Sequence, residues 1–240
     1  MGIIVPAILP TSRHDLDEKL ARLVGIATEA QIDVVDGRFA APASWPYSGG
    51  TEEFARVSAA GGTLPQLDNL HVEVDLMVVD PEQVTGSWIA AGATRILAHA
   101  ESTNYLPRLI TDLKVKYGHD KDFAPELLSF GLAINIATEL SLIEAYLPEV
   151  DYVQFMGIRQ IGKQGQPFDT DVLRKIASFR SAHPDTPLQV DGGVSLSTAP
   201  QLLDAGVSRL VVGSALWNAP DLKEAYNKFV ELTDTHGLYE

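Results

Sequence analysis

The chain has 240 residues, of which 18 are Lys or Arg and 32 are Asp or Glu, so its formal net charge is -14 at pH 7. This charge repels the phosphate backbone of nucleic acids and the surface of anionic membranes, and we expect neither as a partner. The absence of cysteine excludes disulfides, thiolate metal sites and cysteine nucleophiles. A hydrophobic content of 45% is sufficient for a sizeable core.

The chain carries no signal of membrane insertion or export. The segment from Met1 to Leu9 lacks a basic start followed by a long apolar stretch, and no apolar run reaches the length of a membrane span. We therefore expect a soluble protein. The lack of cysteine agrees with a reducing, cytoplasmic environment.

Short apolar runs rich in Val, Ile and Leu alternate with longer amphipathic stretches along the chain. This alternation is typical of parallel strands that are each followed by a helix. Eight such units in 240 residues, with no low-complexity linker, predict one (β/α)8 TIM barrel over residues 1–240; an open doubly wound sheet is the alternative. The predicted strands are 3–9, 31–35, 72–79, 94–99, 129–135, 151–157, 187–191 and 208–213.

Helix boundaries are marked at several places in the sequence. Ser12 precedes a charged amphipathic run, which predicts an N-cap. Gly92 and Gly206 each stand between an amphipathic run and a predicted strand, where a helix ends and a left-handed residue is favoured.

Two connections are long, residues 36–50 after the second strand and 158–168 after the sixth. Both follow a strand, so both belong to the C-terminal face of the barrel, where active sites of this fold lie. Long loops on that face are typically lids or binding loops, and we expect Trp45 in the first of them to be available to a ligand or partner. An irregular stretch at 117–128 precedes a strand and is placed on the opposite face.

Polar residues at the strand ends are the candidates for chemistry. Asp33 and Asp191 belong to the second and seventh strands, which face each other across the barrel mouth. Two carboxylates on opposite sides of a substrate can remove a proton from one face of a carbon and return one to the other. The alternative is that each Asp caps the segment that follows it. The full set is Gln31, Asp33, Asp36, Asp75, His99, Glu101, Asn135 and Asp191.

Glycine-rich turns follow the seventh and eighth strands. In this fold these two loops commonly bind phosphate, because glycine lets backbone N–H groups approach the phosphate oxygens. We expect phosphate at Gly192, Gly193, Gly213 and Ser214. Residues of the long loop after the sixth strand are expected to close over the same ligand, namely Gly162, Gly165 and Gln166, with Arg159 and Lys163 nearby.

The ordered set of strand-end motifs resembles the ribulose-phosphate 3-epimerase family through most of the chain. The resemblance implies a barrel that binds a phosphorylated sugar, epimerises it at the carbon next to the carbonyl, and forms a homo-oligomer. The matching segments are VPAILP from Val5, DVVDGRF from Asp33, VDLMV from Val74, HAES from His99, NIATELS from Asn135, GQPF from Gly165, VDGGV from Val190 and VGSALW from Val212.

The resemblance also implies roles for individual residues. In the family two His and two Asp hold a divalent metal, and the two Asp act as acid and base; Asp33 and Asp191 stand at the acid-base positions. Met77 and Met156 stand where family methionines line the site. Gln31 and Asp75 stand where the family has its two His.

These two replacements change the expected metal chemistry. The implied set of Gln31, Asp33, Asp75 and Asp191 offers oxygen ligands alone, which favours Mg or Mn over Zn. A metal-free reaction is also open, because a protonated Asp beside an ionised one can act as an acid-base pair.

Two other functions remain alternatives. The loss of both His, together with Ala7 where the family has a substrate-contacting Ser, fits a sugar-phosphate-binding barrel that has lost the reaction. The stretch from Asp75 to Asp80 has the acid spacing of a related barrel decarboxylase family. Met77 stands where that family has the Lys that stabilises a carbanion, so we rank the decarboxylase last.

Overall fold

The computed structural model describes residues 2–59, 62–121 and 127–236. Eight parallel strands close into a barrel in sequence order, with β1 hydrogen-bonded to both β2 and β8. Closure confirms the (β/α)8 barrel and excludes the open sheet. The strands are β1 (Ile3–Ile8), β2 (Glu29–Val35), β3 (His71–Met77), β4 (Arg95–His99), β5 (Ser129–Ile134), β6 (Tyr152–Met156), β7 (Leu188–Asp191) and β8 (Arg209–Val212).

Each strand is followed by helix, as the alternating pattern predicts. In the described part of the chain the α-helices are α1 (Arg13–Leu23), α2 (Thr51–Ala59), α3 (Thr85–Ala90), α4 (Leu106–Tyr117), α5 (Ser141–Glu144), α6 (Asp171–Ala182), α7 (Ala199–Asp204), α8 (Ser214–Trp217) and α9 (Leu222–Thr235). Short 3-10 helices precede α3, α4 and β6. None of the helices described is both long and apolar enough to cross a membrane.

The predicted helix boundaries have the expected local chemistry. The Ser12 hydroxyl accepts a hydrogen bond from the Asp15 N–H at 3.1 Å, which satisfies an otherwise unpaired donor in the first turn of α1. Gly92 and Gly206 follow α3 and α7 with φ of 102° and 85°, a left-handed conformation that costs glycine little. Of the predicted stretch 117–128, residues 122–126 lie outside the described residues.

The hydrophobic core fills the space between the outer face of the barrel and the helices. Trp45 lies in this core, contrary to the expectation that it is available to a ligand. It is 2% exposed, and its ring packs edge-on against Phe54 of α2 and Trp88 of α3. The loop 36–50 is also fixed by Ser44, whose hydroxyl accepts a hydrogen bond from the Val35 N–H at 2.9 Å. This loop is therefore a packed wall of the barrel mouth.

The inside of the barrel contains a polar layer instead of an apolar one. Neighbouring strands pair Gln31 with Glu73, and Gln154 with Gln189, in register. Residues paired in register point to the same side of the sheet, and all four side chains are buried. Arg209 of β8 pairs with Gln189 and extends the layer. This layer lies directly beneath the C-terminal ends of β2, β3 and β7.

Candidate active site

Three carboxylates meet above the polar layer. Asp33 and Asp75 are paired in register on β2 and β3, and Asp191 ends β7. One carboxylate oxygen from each lies within 4.8 Å of the other two. Asp33 and Asp75 are buried, and Asp191 is partly exposed. The structure thus brings Asp33 and Asp191 together, and joins them to Asp75.

Burial and crowding raise the pKa values of two of these acids above those of ordinary carboxyls. Burial, and then the charge of Asp191, raise the pKa of Asp33 well above 3.8. Burial, and then the charge of Asp75, raise the pKa of Asp191 from 3.8 to about 7. Hydrogen bonds from Gln31 and the Gly192 N–H act in the opposite direction on Asp191. The cluster therefore retains at least one proton near neutral pH.

His99 at the end of β4 is the positive partner of this cluster. Its Nε2 lies 3.3 Å from Asp75 Oδ1, and its Nδ1 lies 3.9 Å from Glu101 Oε2. Burial alone would lower the pKa of His99, but the charges of Asp75 and Glu101 outweigh burial and raise this pKa. The imidazole has no exposed surface and its ring lies 5.3 Å from that of Phe39. His99 therefore forms its ion pair with Asp75 while buried in the wall of the barrel.

Two side-chain amides reach the acids from below. Gln31 Nε2 lies 2.9 Å from Asp33 Oδ1 and 3.5 Å from Asp191 Oδ2. Gln154 Nε2 lies 3.3 Å from Asp75 Oδ2. The sequence analysis did not single out Gln154 or Gln189, although a polar residue inside the apolar runs YVQFM and LQVD was an available signal.

A cavity opens above Asp33 and Asp191. It is lined by both acids and by residues of the loop 158–168. Every residue of the predicted phosphate and methionine set lines it, namely Met77, Met156, Gly165, Gly192, Gly193, Gly213 and Ser214.

A side chain would meet close neighbours at the glycines of both predicted phosphate turns, backbone at Gly193 and a flexible side chain at Gly213. A Cβ on Gly193 would lie 2.6 Å from Phe168 Cα, and Gly193 has φ of 69°. A Cβ on Gly213 would lie 2.8 Å from the side-chain nitrogen of Gln164. The close approach at both turns keeps the backbone itself at the cavity surface, which is the arrangement that binds phosphate through N–H groups.

The loop 158–168 covers the cavity, as its length predicts. Gln164 from this loop, which the sequence analysis did not identify, donates a hydrogen bond of 3.2 Å to the Ala7 oxygen of β1. Lys163 also lines the cavity and is exposed. Arg159 forms ion pairs with Asp169 and Asp171, which hold it away from a ligand. Lys163 is thus the cation that this loop presents at the cavity.

The three carboxylates form a set that fits a hard divalent cation. Their oxygens converge within 4.8 Å of one another, and carboxylate oxygens are the ligands that hard cations prefer. Gln31, the fourth member of the predicted set, turns its oxygen toward Gln189 at 3.2 Å and its NH2 group toward Asp33. The donor set of the cluster therefore consists of carboxylate oxygens.

Fold and site together define a (β/α)8-barrel enzyme with an acid cluster at the C-terminal ends of its strands. Residues 3–217 match the model of the ribulose-phosphate 3-epimerase family. The chain is 31% identical over 231 residues to the chloroplastic ribulose-5-phosphate-3-epimerase of Arabidopsis thaliana, covering 93% of this chain and 74% of that one. It is 27% identical over 240 residues to the ribulose-phosphate 3-epimerase of Aquifex aeolicus, covering 97% of each.

Solved structures share the barrel at low sequence identity. A ligand complex of KGPDC from Streptococcus mutans aligns with a TM-score of 0.67 at 13% identity, covering 98% of this chain and 99% of that one. The 3-hexulose-6-phosphate synthase of Salmonella typhimurium aligns with a TM-score of 0.66, also at 13% identity and the same coverage. These likenesses show the fold alone.

The chain belongs to the ribulose-phosphate 3-epimerase family, and it is an isomerase of the epimerase type. The departures from the family pattern noted in the sequence, Gln31 and Asp75, both lie in the acid cluster and its polar support.

Proposed function

We propose that the protein epimerises a ketose phosphate at the carbon next to its carbonyl, with Asp33 and Asp191 as the acid-base pair. One observation carries this proposal: two carboxyls from strands β2 and β7 face one small cavity that is also bounded by the glycine turns. A single carboxyl can exchange a proton on one face of a carbon, whereas inversion needs a proton donor on each face.

The protonation of the pair suits this reaction. Asp191, with a pKa of about 7, is in part ionised near neutral pH and can accept the proton from the substrate carbon. Asp33, with its pKa held well above 3.8 by burial, retains the proton that it delivers to the opposite face. The intermediate is an enediolate, and the reverse reaction exchanges the two roles.

The phosphate of the substrate is assigned to the turns after β7 and β8. Backbone N–H groups at Gly192, Gly193, Gly213 and Ser214 would hold the phosphate oxygens, and Lys163 would add a positive charge from the covering loop. Gly165 lies on that loop at the cavity edge. This local arrangement explains how a chain with a net charge of -14 binds an anion.

Asp33, Asp75 and Asp191 would hold a divalent metal where one is used. The bound ion would supply positive charge to the enediolate oxygens, and oxygen ligands favour Mg or Mn over Zn. Met77 and Met156 line the cavity with apolar surface and limit the access of water to the reacting carbon. His99 balances part of the charge on Asp75.

The test is proton exchange at carbon 3 of ribulose 5-phosphate in heavy water, followed by NMR with chelator, Mg, Mn and Zn in parallel. We expect deuterium incorporation that Asp33→Asn or Asp191→Asn reduces by roughly a hundredfold or more. Asp80→Asn is the matched control, since Asp80 follows β3 on the same face but stands before a 3-10 helix and does not line the cavity. Exchange that survives both catalytic substitutions contradicts the proposal.

Absence of exchange with every ketose phosphate, together with stabilisation by those compounds, would favour a sugar-phosphate-binding barrel without the reaction. The metal series distinguishes a metal-free reaction from a metal-assisted one. Exchange that persists in chelator identifies the acid pair alone as sufficient, and exchange restored by one ion identifies that ion.

A further inference from the structure

The three buried glutamines beneath the acids form one hydrogen-bonded chain with a defined direction. A side-chain amide has a donor end and an acceptor end, so its orientation depends on partners that can play only one part. Arg209 can only donate and ionised Glu73 can only accept. Both contact Gln189, which lies at the centre of the barrel.

Gln189 has one orientation that satisfies these two fixed partners. Its Oε1 accepts from Arg209 Nε at 2.7 Å, and its Nε2 donates to Glu73 Oε1 at 2.5 Å. Reversing the amide would place NH2 against the guanidinium and oxygen against the carboxylate. Arg209 is itself held by Glu29 at 2.7 Å, and Glu73 by Arg95 at 2.9 Å, so neither partner is free to turn away.

The orientation of the Gln189 amide determines the orientation of the other two amides. The two hydrogens of the Gln189 NH2 group serve Glu73 and Gln154 Oε1, the latter at 2.7 Å, and Gln31 Oε1 at 3.2 Å shares one of them in a longer, bifurcated hydrogen bond. With their oxygens used below, Gln31 and Gln154 turn their NH2 groups upward, to Asp33 and Asp75 respectively. Both acids consequently receive N–H donors from the barrel interior.

We propose that Gln31 and Gln154 are positioning residues that hold Asp33 and Asp75, respectively, by N–H donation. Gln189 fixes the orientation of both amides. It thereby keeps the side chain of residue 31 from acting as a metal ligand. The proposal rests on the acid cluster being the reaction centre of the proposed function. Residue 31 lies between Gln189 and the acids. Its side chain can turn a lone pair toward the acids only if it turns an N–H toward residue 189, and residue 189 must then accept that hydrogen bond. The residues at 31 and 189 are therefore coupled.

Coupling between these positions is measurable with Co²⁺, whose absorption spectrum reports a nitrogen ligand. The proteins compared are the unaltered chain, Gln31→His, Gln189→Glu and the double variant. In Gln31→His alone, the unprotonated ring nitrogen accepts from the Gln189 NH2 group. The N–H of the new imidazole then points toward Asp33. We expect less than about threefold change in Co²⁺ affinity for each single variant, and at least about tenfold tighter binding with a nitrogen-ligand spectrum for the double variant.

Equal Co²⁺ affinity of Gln31→His and the double variant would overturn the proposal, as would a double variant without any gain. Gln201→Glu on exposed α7 is the matched control for a new carboxylate. Thermal unfolding of each variant establishes that it is folded before titration.

A second measurement needs no change inside the amide chain. With ¹⁵N-labelled glutamine, we expect Asp33→Asn to shift the side-chain NH2 resonances of Gln31 and Asp75→Asn to shift those of Gln154. The opposite assignment, or no response of either, would overturn the proposal. Neither this readout nor Co²⁺ binding requires turnover. A failure of the proposed function would therefore appear separately, as absent carbon-3 exchange in a protein whose glutamine amides keep the orientation described here.

Discussion

Gln164 reaches across the cavity from the loop after β6 and donates a hydrogen bond of 3.2 Å to the backbone oxygen of Ala7 on β1. The same oxygen accepts a 2.6 Å hydrogen bond from Trp217 Nε1. The Gln164 side chain also lies against Gly213, at the turn to which we assign the phosphate. A ligand that binds at Gly213 therefore has to displace Gln164.

Gln164→Ala should weaken the closed state of the loop 158–168. We expect inorganic phosphate to bind roughly fivefold more tightly, since one hydrogen bond of about 1 kcal/mol no longer has to be broken. Titration monitored by tryptophan fluorescence provides the measurement, because Trp217 shares the Ala7 oxygen. Gln160→Ala, elsewhere in the same loop, is the control. Weaker phosphate binding by Gln164→Ala would identify Gln164 as a ligand contact, and unchanged binding would show that it is not a barrier.

Asp191→Asn should stabilise the protein at alkaline pH at the expense of activity. The folded-state pKa of about 7 lies above the ordinary 3.8, so the folded protein binds the proton more tightly and its stability falls as the pH rises through this range. We expect little change in the free energy of unfolding near pH 4, and an increase of up to about 4 kcal/mol near pH 8. Urea unfolding at both pH values, with chelator present, measures it. A variant that is less stable near pH 8 would contradict the burial argument.

The same pKa sets the acid limb of the rate. In chelator, we expect kcat/KM for the ketose phosphate to fall as the pH drops below about 7, because the base Asp191 becomes protonated. The pH profile of carbon-3 exchange measures this limb. A profile that stays flat down to about pH 5 would assign the base to another group.

Gly213→Ala should impair substrate binding without unfolding the chain. The atom that its Cβ would meet is the far end of the flexible Gln164 side chain, which can move aside. We expect KM to rise about tenfold with kcat nearly unchanged, because the new methyl group keeps the phosphate from the backbone N–H groups. Gly193→Ala is the informative comparison, since backbone atoms of Phe168 block it and stability should fall. An unchanged KM for Gly213→Ala would move the phosphate elsewhere.

Lys163→Ala should weaken phosphate binding in a salt-dependent manner. The side chain is exposed at the cavity mouth, so its attraction for an anion is screened by salt. We expect KM to rise several-fold at low ionic strength and the difference to shrink at high ionic strength. Arg159→Ala, which removes a cation already paired with Asp169 and Asp171, serves as the control and should leave KM within about twofold.

The sequence predicted the barrel well because each of its signals is local. Apolar runs, glycine at helix ends and the Ser12 cap depend on neighbours a few residues away, and the strands lie within about two residues of their predicted bounds. Trp45 shows the limit of this reasoning. Its place in a long loop suggested exposure, but burial against Phe54 and Trp88 is a tertiary contact that no local pattern records.

The sequence by itself determined the eight βα units, the strand-end acids and the glycine turns, because strand period and backbone freedom are properties of short segments. The resemblance implied that Asp33, Asp75 and Asp191 share one site; barrel closure brings them together, and only the closed barrel decides that Gln31 faces them with its NH2 group. These relations join residues far apart in the chain, such as Gln31 and Gln189. Their energies depend on distance, direction and burial, which exist only once the sheet has closed.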